Sequence, residues 1–522
     1  MFIIFFFFCP VLGIRWLSWR RGVDCIFLLQ VVSRAREAFN AGKLHTYEQR
    51  MQYLKSIDTF LVEQEQAIVD ALHADLGKPT TESLLWEVQI CRSEIALAQN
   101  NLRSWMATKP ASRTFVYHLA GDSAGLKPEP YGVVTVIAPW NYPIYLTLMP
   151  VVGAIAAGNC VVIKPSEVSE NCSNLYRDVF TKYLPQDCFP VVTGGIPETT
   201  ALLRQRVDYI FYTGSTFVGR VVMKAAAEHL TPVTLELGGK CPVYLDERSD
   251  IEMMADRVVS AKCMNAGQIC VCIDYILCTR EVQDRLIAAM KKALHKFFGD
   301  NMQKSSCYGR IVNDRHFQRL TSMLDSSNGT VAIDMGSDRA DRFMGLKVLS
   351  DVSADDSVMK DEIFGPILPI VPIRDADEAI QFIRSKEKPL AAYVYSPDTA
   401  TVDKFAEFTS SGALVANDAM AHLPLASLPF GGVGQSGIGS YHGKASFDTF
   451  SHHKSILVRH QNMEFLNKLL RYPPYSDAGS NLLRHSLYRT PDEGILLYLK
   501  ALVMATLALL GLTATTFRSR HW

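Results

Sequence analysis

The chain carries no surplus of charge: 53 Lys and Arg balance 53 Asp and Glu across 522 residues. A balanced chain offers no basic footprint, so nucleic acid is not expected as a partner. It also lacks a Cys-x-x-Cys pair or a dense cysteine framework, although it holds 12 cysteines. Thiols scattered in this way are expected to be reduced, in a cytosol-facing domain, rather than paired. His452 and His453 are adjacent and lack the spacing of a helical metal site, so no metal is expected. Internal repeats and low-complexity linkers are missing from the core.

What is present reads as an α/β protein of two to four domains by length. From residue 31 the pattern is helical. Thr46 and Gln49 form a candidate capping box, and Met51, Leu54, Ile57 and Leu61 recur at helical spacing. Leu76-Gly77-Lys78-Pro79 reads as a helix stop, followed by a second helix over about 82–105. Between 131 and 235 short apolar runs at 133–137, 160–163, 189–192 and 209–212 alternate with longer segments, which predicts a parallel sheet of βαβ units.

The ends of these strands carry Asn141, then Lys164 and Glu167, then Gly214, Ser215 and Gly219. In open α/β sheets ligands bind at the carboxyl ends of strands, so a nucleotide site is expected here. The spacing Gly214-x-x-x-x-Gly219 is not the usual dinucleotide fingerprint and says little alone. Helices expected at 250–264, 280–298, 376–385 and 399–408, with strands at 275–278, 391–395 and 413–417, make a second α/β unit.

Two residues carry the candidate chemistry. Cys270 ends Asn265-Ala266-Gly267-Gln268-Ile269-Cys270, a polar turn between a helix and a strand. Reactive groups are often held on such loops. Most cysteines are small buried hydrophobes, and it is this setting that sets Cys270 apart. A free thiol titrates at about 8.5, so it needs assistance to ionise at neutral pH. Glu236, in Leu235-Glu236-Leu237-Gly238-Gly239-Lys240, could activate water against an acyl-enzyme.

These two segments and Glu362-Ile363-Phe364-Gly365-Pro366 resemble, in order, the three signature segments of the aldehyde dehydrogenase superfamily. Ser427-Leu428-Pro429-Phe430-Gly431-Gly432-Val433-Gly434 and Ser440-Tyr441-His442-Gly443-Lys444 resemble its class 3 branch, which includes a membrane-bound fatty aldehyde dehydrogenase. The resemblance runs over about 31–475. It implies a Rossmann-like parallel-sheet NAD(P)-binding domain from 31–111 and 128–237, and an α/β catalytic domain from 238–445. A small bridging β-sheet, from 112–127 and 446–475, would join subunits into a homodimer.

By the same resemblance the chain would oxidise aldehydes, medium- to long-chain and aliphatic, to acids with NAD or NADP through a thiohemiacetal and a thioester. Cys270 would be the nucleophile and Glu236 the base. Asn141 and the Cys270 N–H would serve the oxyanion. Lys164 and Glu167 would hold the adenosine ribose, and Gly214, Ser215 and Gly219 would face the cofactor. Glu362 and Phe364 would position the nicotinamide ribose. Glu167 leans toward NAD, because a carboxylate repels a 2′-phosphate. In Cys270-Val271-Cys272-Ile273-Asp274-Tyr275 the chain loses a proline and gains a thiol relative to the branch. In a strand Cys272 would point the same way as Cys270, leaving a regulatory disulfide or a competing nucleophile open.

The ends are read separately. Residues 1–30 are a non-homologous apolar extension with only part of a signal-peptide pattern. Residues 476–494 read as a polar linker and 495–517 as a candidate membrane anchor. The uncharged stretch 501–517 spans about 25 Å as a helix against about 30 Å of hydrocarbon. Starting at 495 gives enough length, with Lys500 snorkelling to the interface. The expectation is a C-terminal tail anchor that leaves the catalytic domain in the cytosol, with the endoplasmic reticulum suggested by the resemblance. The alternative is a helix packed on the soluble core. Two other functions stay open: a cofactor-independent cysteine esterase or acyl transferase using Cys270, Asn141 and Glu236, and a catalytically silent membrane-associated homologue. The joint presence of Lys164, Glu167, Glu362 and Phe364 favours the dehydrogenase.

Overall fold

The computed structural model describes residues 28–112 and 122–461, with scattered positions from 464 to 484. Packing divides the chain into two units. One holds the described residues up to Trp105 and Pro130–Ser451; the other holds Met106–Glu129 and the described residues from His452.

In the first unit the capping box forms. Thr46 Oγ1 accepts from the Gln49 N–H, Gln49 Oε1 accepts from the Thr46 N–H, and helix Tyr47–Glu63 buries Leu54, Ile57, Phe60 and Leu61. Helix Glu65–Leu76 follows. The single helix expected over 82–105 is instead three joined pieces: Thr80–Ser83, a wide π turn at Leu84–Gln89, and Ile90–Met106.

A five-stranded sheet comes next. Strands β1 (Val133–Ile137), β2 (Cys160–Lys164), β3 (Tyr209–Thr213) and β4 (Val233–Glu236) are parallel in the order β2-β1-β3-β4, and Gly437–Ile438 pairs antiparallel with β4. The first three are buried at every position, which is why they read as nearly unbroken apolar runs. The crossover helix Tyr145–Ala157 between β1 and β2 is buried along its whole length. It stops at Gly158 (φ 98°), where a Cβ would stand 2.5 Å from the Arg50 guanidinium. Arg50 donates to Ala156 O at 3.0 Å, at the negative end of that helix.

The strand expected at 189–192 does not form. Only Val191 makes an isolated bridge, to Ile163. Pro190 has no N–H to give, so the segment lies beside β2 through bonds such as Ile163 N–H to Pro190 O without extending into a ladder.

The second sheet has seven strands: β5 (Cys241–Leu245), β6 (Ile273–Cys278), β7 (Thr330–Asp334), β8 (Lys347–Ser350), β9 (Ile367–Pro372), β10 (Ala391–Tyr395) and β11 (Ala413–Ala416). Their order is β11-β10-β5-β6-β9-β8-β7, parallel except for the edge strand β7. Helices Ile251–Cys263, Arg280–Phe298, Ala376–Arg384 and Thr399–Phe408 lie within one residue of the periodic windows in the sequence.

All but the end residues Pro130 and Ser451 of a three-stranded sheet, in which Ser123–Pro130 lies between Lys109–Pro110 and Ser451–Val458, belong to the second unit. Asp122 accepts from Arg459 Nε at 2.9 Å and from the His460 N–H at 3.0 Å. The apolar run at 1–12 and the candidate anchor at 495–517 lie outside the described residues. Among the described residues no helix is long and apolar enough to cross a membrane.

Candidate active site

The loop that carries Cys270 follows an unusual path. After helix Ile251–Cys263, Asn265 (φ 49°), Ala266 (φ 52°) and Gly267 (φ 72°) are all left-handed. Such backbone costs about 1–2 kcal/mol for each residue bearing a Cβ, so its neighbours must hold it. The Asn265 N–H donates to Glu82 Oε2 at 3.0 Å, and its side-chain amide donates to Asn141 O at 2.9 Å and Gln268 O at 3.1 Å. Buried Gln268 donates to Asn265 O at 3.0 Å and Arg310 O at 2.9 Å, and accepts from the Val312 N–H at 3.0 Å. At Gly267 a Cβ would stand 2.5 Å from Gly365 O, so the loop can press directly on the Glu362-to-Pro366 segment.

Cys270 is half-buried at the end of this loop. Burial raises its thiol pKa, and the carboxyls of Glu362 and Glu236 push the same way, opposed by the N–H groups of Cys270 and Val271. Cys272 does not share its direction, contrary to the strand-based expectation. Residues 270 and 271 form a turn ahead of β6, and Cys272 Sγ is buried 3.8 Å from Ala261 O, against the preceding helix.

Asn141 is buried at the end of β1, with Nδ2 donating to Gln268 O at 3.0 Å. A primary amide has two hydrogens, so one remains for an incoming oxygen. The segment is anchored by a buried ion pair between Lys78 and Glu87. Lys78 also donates to Asn141 O at 3.1 Å and lies 3.9 Å above the Tyr142 ring, while Glu87 Oε2 accepts from the N–H groups of Ile144 (3.0 Å) and Tyr145 (2.9 Å).

Glu236 ends β4. It is 2% exposed, neither carboxyl oxygen has a hydrogen-bond partner among the described residues, and burial raises its pKa far above the carboxylate range. Glu362 is raised to about 8 by burial and by Asp274. Asp274 pairs with Lys240 and accepts from the Ile363 N–H at 2.9 Å; Lys240 also donates to Val358 O at 2.8 Å and Asp361 O at 3.0 Å. Arg319 donates to Ile363 O at 2.6 Å. Phe364, at φ 48°, meets Trp140 edge-on with 5.3 Å between centroids.

The remaining candidates lie at the carboxyl ends of β2 and β3. Lys164 is 2% exposed, donating to Pro165 O at 2.8 Å and to the half-exposed Glu167 at 3.3 Å. Ser215 caps helix Thr216–Ala227, accepting from the Val218 N–H, and Gly214 donates to Glu236 O at 3.0 Å. Gly219 packs so closely that a Cβ would stand 2.7 Å from Leu237 Cδ2. The same helix exposes Phe217 and Val221. A buried ammonium, a reachable carboxylate, a capped helix N-terminus and an open apolar face suit the ribose, phosphates and base of a dinucleotide. Among the described residues no cluster of His, Cys, Asp and Glu could hold a metal.

Cys270 opens onto a narrow pocket whose lining includes Trp86, Leu146, Ile269, Leu423, Phe430 and Tyr441, with no charged side chain among the described residues. Sequence reading did not find Gln268, Asn265 as a brace, the Lys78 and Glu87 pair, or Lys240 with Asp274. These residues bind backbone groups from distant segments, and no short motif carries that information.

The profile of the aldehyde dehydrogenase family matches residues 28–456. The chain is 51% identical over 450 residues to aldehyde dehydrogenase family 3 member B1 of Homo sapiens, covering 86% of this chain and 95% of that one. It is 48% identical to the dimeric NADP-preferring aldehyde dehydrogenase of Canis lupus familiaris, covering 85% and 97%. Among solved structures, the substrate-bound AldH of Staphylococcus aureus superposes with a TM-score of 0.81 at 38% identity, covering 91% of this chain and 99% of that one.

Proposed function

The chain belongs to the aldehyde dehydrogenase family, an NAD(P)-dependent family, and on that premise we propose that it oxidises medium- to long-chain aliphatic aldehydes through Cys270. One observation carries the reading: a half-buried thiol faces an uncharged apolar pocket, and the buried carboxyl of Glu236, without a hydrogen-bond partner among the described residues, bears on that thiol's ionisation.

Cys270 sulfur, once deprotonated, adds to the aldehyde carbon. The free hydrogen of the Asn141 amide and the Cys270 N–H stabilise the charge that grows on oxygen. A bound dinucleotide would supply the acceptor for the hydride of the thiohemiacetal carbon, which these residues hold in place. Glu236, as carboxylate, takes a proton from water; the resulting hydroxide adds to the thioester, the C–S bond breaks, and acid and thiolate are released. Lys164 and Glu167 would hold the adenosine ribose. Gly214, Ser215 and Gly219 would line the phosphate side, and Glu362 with Phe364 the nicotinamide ribose. Glu167 would disfavour a 2′-phosphate, which favours NAD.

Two further readings belong to the same proposal. The chain acts as a homodimer, in keeping with its dimeric canine relative. The run at 495–517 anchors it to a membrane, with the catalytic domain in the cytosol at the endoplasmic reticulum; support comes from the length of that run and from the solubility of long aldehydes in lipid. The test is reduced-cofactor absorbance from purified protein supplied with aldehydes of graded length and either cofactor. Turnover rising with chain length is expected. Absence of reduced cofactor with every aldehyde would refute the reading.

A further inference from the structure

The apolar pocket at Cys270 has a neighbour. A second, roomier cavity is lined partly by Leu85, Gln89, Ser93, Glu94 and His442, and so is more polar than the first. The two share three side chains: Trp86, Ile90 and Leu423. Those residues therefore stand at the junction, between an inner chamber holding the thiol and an outer one whose lining includes exposed Leu85 and Gln89.

Trp86 lies in the middle of the π turn Leu84–Gln89. Wide turns of this kind often mark functional positions in a helix. Its neighbour Glu87 is held in place: it is fully buried, paired with Lys78 and accepts from the N–H groups of Ile144 and Tyr145. The turn is therefore pinned on one side by a buried ion pair, while Trp86 and Ile90 are presented to both cavities. The indole is the largest of the three side chains at the junction.

Resting on the function proposed above, we infer that Trp86 is the gate that selects the aldehyde's tail. An unbranched hydrocarbon chain passes the indole edge and extends toward the outer cavity. Tails branched near the carbonyl meet the ring. Aldehydes bearing a carboxylate are refused by the inner chamber, which offers no charged partner for a buried anion. The favoured substrates are linear, uncharged aldehydes, and the polar outer lining accepts a hydroxyl at the far end of such a chain.

The test compares kcat/KM for decanal, 2-ethylhexanal and acetaldehyde, the last as a reference without a tail, in the full-length enzyme and in Trp86→Ala. The ratio of decanal to acetaldehyde is expected to fall about tenfold, and that of 2-ethylhexanal to acetaldehyde to rise about fivefold, the scale of a changed apolar contact in a pocket. Unchanged ratios, or an equal fall for all three aldehydes, would overturn the gate. Should Trp86→Ala fail to fold, Leu423→Ala, which also lines both cavities, must shift the same two ratios in the same directions, and no shift there overturns the gate equally. A wild-type enzyme that reduces no cofactor with any aldehyde refutes the proposed function itself, whereas normal wild-type turnover with unshifted ratios refutes only the gate.

Discussion

Gly238 leaves Glu362 the space it occupies: a Cβ on Gly238 would stand 2.0 Å from Glu362 Oε2. The obstructing atoms belong to the end of a flexible side chain, so an added methyl would displace the carboxyl rather than the backbone. Gly238→Ala is therefore expected to keep its melting temperature while the KM for the dinucleotide rises about tenfold, the scale of a misplaced positioning group. Calorimetry and cofactor titration read the two quantities separately. An unchanged KM would remove Glu362 from cofactor positioning.

The two thiols in the signature turn are predicted to behave differently. Cys270→Ser should lower aldehyde oxidation and ester hydrolysis by at least about 1000-fold, the scale expected for losing a nucleophile, while cofactor still binds. Cys272→Ser should be nearly silent, because Cys272 is buried against Ala261 O and is not part of the pocket lining. Normal turnover in Cys270→Ser, or its loss in Cys272→Ser alone, would reverse the choice of nucleophile.

What was legible in the sequence, and what was not, follows from where the information sits. Strand Val133–Ile137 and helices Arg280–Phe298 and Thr399–Phe408 match their apolar runs and periodic windows residue for residue, because burial there is set by local pattern. The π turn at Leu84–Gln89 was invisible, since one extra residue in a turn leaves the composition of a helical stretch unchanged. Phe189–Val192 looked like a strand by composition, but Pro190 withholds the donor that a ladder requires. Cys270, Glu236 and Glu362 stand in recognisable local motifs. Asn265 and Gln268 brace the loop through Asn141 O, Arg310 O and Val312 N–H, bonds that exist only once the chain has folded.

The buried carboxyls predict how stability varies with pH. Glu362 is raised to about 8, and Glu82 and Glu94 to about 7, in each case first by burial. An unfolded glutamate titrates at about 4.3, so between that value and 8 the folded state holds more protons than the unfolded one. Stability is therefore greatest at the acid end of this window and falls as pH rises through it. Thermal melts from pH 5 to 8.5 should show that decline, and Glu362→Gln, which cannot ionise, should make it shallower. A melting temperature that rises toward pH 8 would contradict the buried, protonated state of these groups.

The proposed anchor is tested by truncation after Tyr475. Full-length protein should stay in the membrane pellet through a carbonate wash, and the truncated chain should be soluble, still oxidise short aldehydes and handle long ones less well. The hydrocarbon length of the run at 495–517 sets this expectation. Full-length protein in the high-speed supernatant, or truncated protein retained in the pellet, would exclude the anchor.

Glu236 allows hydride transfer and deacylation to be separated. Its carboxyl is buried without a hydrogen-bond partner among the described residues and burial raises its pKa well above the ordinary carboxylate range, yet the base that activates water must be ionised. Deacylation should therefore speed up as pH rises, over a range set by the raised pKa rather than by a free glutamate. Glu236→Gln keeps the shape of the side chain and cannot ionise, so it should give a burst of reduced cofactor stoichiometric with enzyme, followed by turnover slowed about 100-fold or more. The arrested species is an acyl group on Cys270, which intact-protein mass spectrometry reads as the mass of the aldehyde less two hydrogens. The pH dependence of the slow phase should flatten in the same variant. If steady-state turnover is unchanged and no adduct appears, Glu236 is not the base, and its burial without a partner needs another explanation.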